Sequence, residues 1–360
     1  MKRLTLLLAA LLLSVTVLQL HAQNPSPTTK TAYRVYGVGF YNLENLFDTI
    51  PNNPRGLDLE YTPQGEKQWT GERYWSKISN LARAINAMTT KITPNGPAIL
   101  GVSEIENASV LNDLVRDPQI RRWNLQVVHH DSPDRRGVDV GLLYNPRYFE
   151  VVNVTNHLLT IPGNPDFRSR DQMCVVGKLG GEPLAVVVNH WPSRLGGQKQ
   201  SEHLRVAAAQ LSKHIADSLW AIDPSMGVII MGDLNDDPSD KSCREILGAK
   251  KHAKDVTDGH MFYNPWWKIL DDDGIGTLAY KGAWNLFDQI ILSGNMLPAN
   301  RSTGLEFVRA KVNNFEFLTT KEGQRQGYPL RTFASGSYLN GYSDHYPTMV
   351  ILKQAVKRTK

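Results

Sequence analysis

Short apolar runs alternate with amphipathic stretches along nearly the whole chain, and this alternation limits the folds that are open to it. Runs such as 99–102 and 228–231 have the length of a buried strand and are too short for a helix. Other stretches place apolar residues three or four positions apart, which predicts helices over 75–88 and 204–219. Strands and helices that mix in this way predict an α/β domain.

A hairpin is predicted in the middle of the chain. Residues 173–179 and 183–189 flank Gly180-Gly181, a glycine pair typical of a tight turn. Hairpins make antiparallel neighbours, so the sheets are predicted to be mixed rather than purely parallel. Residues 248–283 are rich in Gly, Asp and aromatic residues, and we expect them to form a long ordered loop over the site.

Several predicted strands end in side chains that can carry chemistry. A rigid strand end fixes the geometry of such groups, while the loops leave room for a substrate. Asp288 is the most constrained of them, because it adjoins an apolar strand and a buried carboxylate requires a partner or a metal. The residues at these ends are Asn42, Glu44, Glu104, Asn189, His190, Asp233, Asn235, Asp288, Asp344 and His345.

The set offers hard oxygen ligands together with two histidines, and it contains no soft ligand. Oxygen ligands of this kind suit Mg²⁺ or Mn²⁺, and Ca²⁺ is a further option. The only two cysteines, Cys174 and Cys243, have no zinc-type spacing. They are compatible with one disulfide in an exported protein. Cys174 lies inside the apolar run 173–176, which favours two buried thiols instead.

The N-terminal residues have the order of a secretory signal peptide. Lys2 and Arg3 precede a mostly apolar stretch over 6–18, and polar residues follow from residue 23. That stretch is marginal for a membrane span. We therefore predict a signal peptide over 1–22, a flexible lead-in over 23–32 and one large domain over 33–356, in a protein that is secreted or periplasmic.

Six short segments together resemble the endonuclease/exonuclease/phosphatase superfamily, which includes DNase I-like nucleases, inositol polyphosphate phosphatases and sphingomyelinases. They occur in the family's order and span nearly the whole predicted domain. The resemblance implies an α/β fold of two packed mixed β-sheets flanked by helices, a four-layer sandwich. It also implies that the domain hydrolyses phosphoesters with a divalent metal. The six segments are FYNLEN at 40–45, SEIEN at 103–107, NHW at 189–191, GDLN at 232–235, FDQI at 287–290 and SDHYP at 343–347.

Three metal-site residues are implied by this resemblance. Glu104 matches the family's main metal-binding carboxylate, and Asp344 matches a second acidic residue near the metal. Asn42 matches the asparagine of the first segment, which helps to order the metal and the phosphate.

Five catalytic residues are implied in the same way. Asp233 and Asn235 match the pair that handles the nucleophilic water and the phosphate. His190 matches a position that contacts the phosphate in DNase I-like members. Asp288 and His345 match the family's Asp–His pair. Either Asp233 or His345 is a candidate for the base that activates water, and the sequence does not decide between them.

Three substrate-binding residues are proposed beside these. Arg170 resembles an arginine before a core strand in DNase I-like members, and Tyr280 and Trp284 either stack on a base or pack against the protein. Residues 136–139 either face the substrate or form an ordinary turn, and the turn is favoured. Trp266-Trp267 either touches a membrane or anchors the 248–283 segment, and anchoring is favoured.

The predicted function is therefore a secreted, metal-dependent phosphodiesterase, namely an extracellular endonuclease acting on nucleic acid. The formal charge of +5 is compatible with an anionic substrate but too small to indicate nucleic acid by itself. A lipid or small-molecule phosphodiesterase or phosphatase, resembling a sphingomyelinase or an inositol phosphatase, is the alternative. A non-enzymatic binding module is disfavoured because every expected catalytic residue is present. No obligate protein partner is evident.

Overall fold

Two six-stranded β-sheets packed face to face form the centre of the structure, a computed structural model that describes residues 32–356. The predicted signal peptide and all but the last residue of the predicted lead-in lie outside the described residues. Within residues 32–356, no helix is both long enough and apolar enough to span a membrane.

The described residues contain sixteen strands in two large sheets and two small hairpins. The first sheet has the strand order β13-β16-β1-β2-β4-β3 and the second β5-β6-β7-β8-β12-β9, while β10–β11 and β14–β15 are the hairpins. In chain order the strands are β1 (Tyr33–Leu46), β2 (Ile99–Ile105), β3 (Gln126–His129), β4 (Asp139–Tyr144), β5 (Phe149–His157), β6 (Gln172–Leu179), β7 (Glu182–His190), β8 (Gly227–Asp233), β9 (Phe262–Tyr263), β10 (Leu278–Tyr280), β11 (Ala283–Asn285), β12 (Asp288–Ser293), β13 (Leu305–Val312), β14 (Phe333–Ala334), β15 (Ser337–Tyr338) and β16 (Thr348–Ala355).

Helices cover the outer faces of both sheets. The helices are α1 (Gly71–Ala87), α2 (Ala108–Arg116), α3 (Gln198–Ile222) and α4 (Pro265–Asp271). The apolar faces of α1 and α2 join the core of the first sheet, and the apolar face of α3 packs on the second. The result is the predicted fold of two mixed β-sheets flanked by helices, and the predicted helices over 75–88 and 204–219 correspond to α1 and α3.

The central strands are buried on both faces, and their side chains alternate between two cores. In β7, Leu184 and Val186 belong to the core between the sheets, whereas Ala185 and Val187 pack towards α3. Strands that are buried on both faces appear in a sequence as continuous apolar runs, which is why the patterns predict them. The predicted hairpin is confirmed, since β6 and β7 pair antiparallel around the glycine turn.

Parallel pairs at the middle of each sheet bring the polar strand ends together. β1 runs parallel to β2, and β7 runs parallel to β8, so the carboxyl ends of each pair lie at one edge. β12 runs antiparallel to β8 and begins where β8 ends, which places Asp288 opposite Asp233. All six segments of the superfamily resemblance therefore lie at or beside strand ends.

The ends of β1 and β2 depart from regular strand geometry where the site begins. The pairing register shifts between Asn42 and Leu46 and again at Glu104. Glu44, Asn45 and Glu104 have positive φ values of 48°, 51° and 58°. Non-glycine residues seldom adopt this conformation, and such departures concentrate at functional sites, where they redirect side chains.

Residues 248–283 do not form the single long loop expected from their composition. They contain a short 3-10 helix at Ala253–Asp255, the edge strand β9, the helix α4 and the strand β10, and β11 begins at their last residue. Trp266 is fully buried and donates a hydrogen bond to the Ile290 carbonyl at 2.9 Å. This confirms that it anchors the segment. Cys174 and Cys243 are both free and buried, as favoured from the sequence.

Candidate active site

Asp233, Asp288 and His345 meet at the edge where β8 ends and β12 begins. His345 Nδ1 lies 2.7 Å from Asp288 Oδ2, which makes a short hydrogen bond between two buried groups. His345 Nε2 lies 3.9 Å from Asp233 Oδ2. The imidazole therefore lies between two carboxylates. Asp288 is hydrogen-bonded to Nδ1 and fixes the orientation of the ring, and Asp233 faces the free Nε2 without a hydrogen bond.

Asn42 and His190 extend this group towards Glu104. Asn42 Nδ2 donates to Asp233 Oδ2 at 3.0 Å. His190 Nε2 lies 3.6 Å from Asp233 Oδ2 and 3.8 Å from Glu104 Oε1. Side chains from β1, β2, β7 and β8 thus form one contiguous polar cluster at the end of the two packed sheets.

Local contacts hold the segments of this cluster in place. Ser343 Oγ donates to the Asn42 carbonyl at 2.7 Å and accepts from the His345 backbone N–H at 3.1 Å. Gly232 has a φ of 155°, and a Cβ atom there would lie 2.1 Å from the Asn189 carbonyl oxygen. Only glycine fits at that position, so the glycine before Asp233 is required by the close approach of β7.

The protonation states follow from burial and from the neighbouring charges. Burial raises the pKa of Asp233 to about 6, although the nearby His345 opposes this effect. Burial alone would lower the pKa of His345, but Asp288 and Asp233 outweigh it and hold that pKa well above its ordinary value. Burial, assisted by the positive charge of Arg170, places the pKa of His190 well below its ordinary value. At neutral pH His345 is charged and His190 is neutral.

Glu104 is held by two donors. Its Oε2 accepts from the Asn45 backbone N–H at 3.1 Å, and its Oε1 accepts from Arg136 Nη1 at 3.1 Å. Arg136 also donates to the side chain of Asn45. The 136–139 segment is thus more than an ordinary turn, since its first residue reaches the site.

A network of buried charges supports the other side of the site. Glu44 accepts from Arg331 Nε at 3.2 Å and from the Thr332 N–H at 2.7 Å, and it lies 3.7 Å from Lys77 Nζ. Arg331 Nη2 also pairs with Asp344 Oδ2 at 2.8 Å. Asp344, the second predicted metal residue, is therefore paired with a guanidinium.

Lys77 and Arg331 were missed by sequence reasoning. Lys77 belongs to the buried face of α1, three residues after Tyr74 and four before Leu81. The sequence signal for Lys77 is a lysine at a position where the helical period predicts a buried apolar residue. Because lysine is almost never buried without a partner, such a position indicates a buried ion pair. Arg331 lies outside regular structure, and no sequence signal pointed to it.

Arg170 takes a different place from the one proposed. It is buried, and its guanidinium donates to the carbonyl oxygens of His190 and Trp191 and to Asp134. These acceptors are all groups of the protein, so the guanidinium holds the backbone that carries His190, and a role of Arg170 in binding substrate stays a prediction. Asn235 similarly donates from Nδ2 to the Trp191 carbonyl at 3.0 Å, while its backbone N–H donates to Asp233.

The two aromatic candidates differ in exposure. Trp284 packs inward, with its ring stacked at 6.1 Å on Tyr346 and edge-on to Tyr328. Tyr280 is 65% exposed on the β10–β11 hairpin, and the neighbouring Lys281 Nζ lies 5.3 Å from its ring centroid. Of the pair, Tyr280 is the exposed residue and Trp284 is half-buried.

The donor set fits a divalent cation. Asp233, Asp288 and His345 offer ligand atoms within 4.8 Å of one another, and Asp288 Oδ1 has no hydrogen-bond partner among residues 32–356. Because His345 is protonated, carboxylate oxygens rather than its imidazole would hold the ion, namely the unpartnered Asp288 Oδ1 and the carboxylate of Glu104, which leaves Asp233 to act on water. A hard ion so held supplies charge that stabilises the developing negative charge on a phosphoryl group.

The chain's own groups can activate water and bind a phosphoryl oxygen. Asp233, with a pKa of about 6, accepts a proton from water near neutral pH, whereas charged His345 cannot. The structure therefore favours Asp233 as the base. Neutral His190 and charged His345 present N–H donors beside it, and donors directed at developing charge are typically the largest single contribution to catalysis.

The fold and the site together define a metal-dependent phosphoester hydrolase. The model of the Endonuclease/Exonuclease/phosphatase family matches residues 37–354, and the chain belongs to this family. No curated protein matches the sequence.

Solved structures share the fold at low sequence identity. An endonuclease/exonuclease/phosphatase family protein from Bacteroides thetaiotaomicron is 17% identical, with a TM-score of 0.53 over 92% of this chain and 99% of that one. A mannosyl-6-phosphatase from the same organism is 17% identical, with a TM-score of 0.52 over 88% and 99%. Humanized D. rerio TDP2 is 11% identical, with a TM-score of 0.53 over 89% and 99%.

Proposed function

We propose that this chain is an exported endonuclease that hydrolyses phosphodiester bonds of nucleic acid with Mg²⁺ or Mn²⁺. The observation that carries the proposal is the exposed aromatic ring of Tyr280 on the β10–β11 hairpin. The β10–β11 hairpin that carries it leads directly into Asp288, and Thr277 before the hairpin accepts a backbone hydrogen bond from Tyr346, the neighbour of His345. An exposed aromatic ring on this hairpin is suited to stacking on a base.

Positive charge around the site supports a substrate with more than one phosphate. Arg136 pairs with Glu104 and Arg331 with Glu44, and each of the two arginine side chains is partly exposed. Lys281 adds a third cation beside Tyr280. Arginine and lysine at separate positions suit successive phosphates of a polyanion, since guanidinium groups bind phosphate through paired donors.

A membrane lipid is a less suitable substrate. The sequence offered Trp266-Trp267 as a pair that touches a membrane, but Trp266 is fully buried and Trp267 is only partly exposed. The proposal of export itself rests on the N-terminal segment over 1–22. A secreted or periplasmic enzyme of this kind would degrade nucleic acid outside the cytoplasm.

A substrate panel tests the proposal. Supercoiled DNA, RNA, sphingomyelin, a sugar phosphate and bis-p-nitrophenyl phosphate are each incubated with the protein and Mg²⁺, with EDTA and the D233N variant as controls. We expect the DNA or RNA to be nicked internally, and cleavage to stop with EDTA and in D233N. Turnover of the sugar phosphate or sphingomyelin without nucleic acid cleavage would overturn it. Localisation is tested by fractionating producing cells with and without residues 1–22.

A further inference from the structure

Arg194 lies beside the catalytic cluster, in the segment that joins β7 to α3. Its Nε donates to the carbonyl oxygen of Asn235 at 2.9 Å. Asn235 is a predicted catalytic residue, and it begins the turn over 235–240 that follows β8. The Arg194 side chain is 22% exposed, so most of it is enclosed by protein groups. The arginine therefore contacts the backbone of the site from within the protein.

Three carboxylates of this turn face the same guanidinium. Arg194 Nη2 lies 2.6 Å from Asp240 Oδ2. It lies 3.4 Å from both Asp236 Oδ1 and Asp237 Oδ2. Asp236 has a second cation, since the Nε of the buried Arg205 lies 2.6 Å from its Oδ1. Among the described residues, Asp237 and Asp240 pair with no cation besides Arg194. Loss of its charge would leave these two like charges uncompensated within one short turn.

The same turn and the same guanidinium hold the segment that leads into Asp288. Asp237 Oδ1 accepts from the Leu286 N–H at 2.8 Å. The guanidinium of Arg194 lies 4.4 Å from the centroid of the Phe287 ring, which is a cation–π contact. Phe287 directly precedes Asp288 in the chain. One side chain therefore contacts both the residues that follow β8 and the residue that precedes β12.

The groups around this side chain suit arginine and no other cation. Arg194 donates from Nε to a carbonyl oxygen and from Nη2 to the carboxylate of Asp240. A guanidinium presents such donors in fixed directions, and its flat face packs on an aromatic ring. The ammonium of lysine has the same charge but is a single point at the end of a flexible chain. It cannot pair with the Asn235 carbonyl and with Asp240 through separate nitrogens.

We propose that Arg194 is a positioning residue for phosphoester hydrolysis by this chain. It holds the turn that begins with Asn235 against the segment that leads into Asp288, and it thereby fixes the distances between the groups that these segments carry. Its donors are directed at protein groups, so it acts through these residues and not on the substrate. The proposal rests on phosphoester hydrolysis, and it does not depend on nucleic acid being the substrate.

Amide hydrogen exchange tests the hold on the turn without using activity. The backbone N–H groups of Asn235 and Leu286 report on it, since each donates to an aspartate at the end of β8 or in the turn. In R194Q we expect both to exchange about tenfold faster, because the turn opens more often. R244Q is the matched control, since Arg244 follows the turn, is 51% exposed and pairs with the adjacent residue. Unchanged exchange of both amides in R194Q would overturn the proposal.

The kinetic test uses whichever ester of the substrate panel the wild-type chain hydrolyses fastest. R194Q is expected to lower kcat by about 10²-fold, because a small displacement of catalytic groups slows the chemical step. KM is expected to stay within about twofold of the wild-type value, since no contact with the ground-state substrate is lost. R194K is expected to unfold at the same urea concentration as the wild type and still to have a low kcat, because it restores the charge without the planar donors.

The outcomes separate positioning from the other roles of an arginine. A wild-type kcat in R194K would show that Arg194 supplies charge alone, and a raised KM with unchanged kcat in R194Q would show that it binds substrate. Either result would contradict the proposal. If R194Q does not fold, R194K alone decides between these roles. A wild-type chain that hydrolyses no ester would contradict the enzymatic activity, whereas unchanged amide exchange in R194Q would contradict the positioning role.

Discussion

The Asp288 carboxylate accepts a hydrogen bond from His345 Nδ1 at 2.7 Å and joins β12 to the segment before β16. Both groups are buried, so the carboxylate stabilises the charged imidazole and fixes which nitrogen faces the site. The other nitrogen, Nε2, faces Asp233 at 3.9 Å. From this relationship we infer that His345 serves as a charged donor and that Asp233 is the base, which the predictions below test.

Replacing Asp288 with Asn is expected to lower kcat by about 10²–10⁴-fold, the range for loss of a positioned acid–base group or of its orienting carboxylate. The amide cannot hold the charge on His345, and it allows the wrong nitrogen of the ring to carry the proton. The measurement is turnover of bis-p-nitrophenyl phosphate at saturating Mg²⁺. A kcat within twofold of the wild-type value, in a variant with an unchanged circular dichroism spectrum, would contradict this role.

The pH dependence of the reaction should show a single acidic limb near pH 6. Burial raises the pKa of Asp233 to about 6, so below that pH the base is protonated and kcat/KM is expected to fall about tenfold per pH unit. The pKa of His345 is held well above its ordinary value, so no loss is expected between pH 6.5 and 7.5. A limb near pH 4, or a rate that rises as a neutral histidine forms, would exclude Asp233 as the base.

Removal of the Lys77 charge should destabilise the fold. Lys77 is 1% exposed and its Nζ donates to Thr332 and to the Tyr342 carbonyl, beside Glu44. Breaking a buried ion pair by removing one partner costs about 3–5 kcal/mol. We expect a loss of this size for K77M in urea unfolding. The control K213M breaks an exposed pair on α3 and should cost less than about 1 kcal/mol.

Much of the fold was predictable because its signals are local. Apolar runs with sharp polar ends marked β7 and β8, and helical spacing marked α1 and α3. The segment 248–283 was misjudged, because β9 is two residues long and α4 is seven, both too short to display a period. Tertiary pairing with β12, rather than local pattern, makes β9 a strand.

The candidate site was predictable only where it coincides with strand ends. The predicted residues Asp233, Asp288 and His345 meet in space, because the sheet order places their segments side by side. Arg331 could not be predicted from the sequence, because its position in the site depends on long-range contacts with Glu44 and Asp344. The positive φ values at the ends of β1 and β2 could not be predicted either, because they arise from register shifts between paired strands.

Arg136 should compete with the catalytic cation for Glu104. Its guanidinium donates to Glu104 Oε1 at 3.1 Å and places a positive charge beside the metal ligand. In R136Q we expect the Mg²⁺ concentration for half-maximal activity to fall severalfold, because that repulsion is gone, while kcat falls about tenfold as Glu104 loses its orientation. The neighbouring Arg135 donates only to the Asp166 carbonyl, so R135Q is the matched control. An increased Mg²⁺ requirement in R136Q would show that Arg136 assists metal binding instead.

Replacing Tyr280 with Ala should raise KM for long substrates that carry bases and leave the turnover of short substrates without bases unchanged. Its exposed ring can stack on a base, which is worth about 1–3 kcal/mol per base in proteins that bind single strands. Y280A is therefore expected to raise KM for single-stranded DNA by about 5–150-fold, the same energy expressed as an equilibrium ratio. Its kcat/KM for an abasic dinucleotide, in which one phosphodiester joins two deoxyriboses, should not change, because that diester has no aromatic ring to stack. Y33A, which removes an exposed tyrosine at the start of β1, is the control. Equal losses on both substrates would show that Tyr280 supports the structure of the catalytic cluster. An unchanged KM for DNA would show that Tyr280 does not bind the substrate.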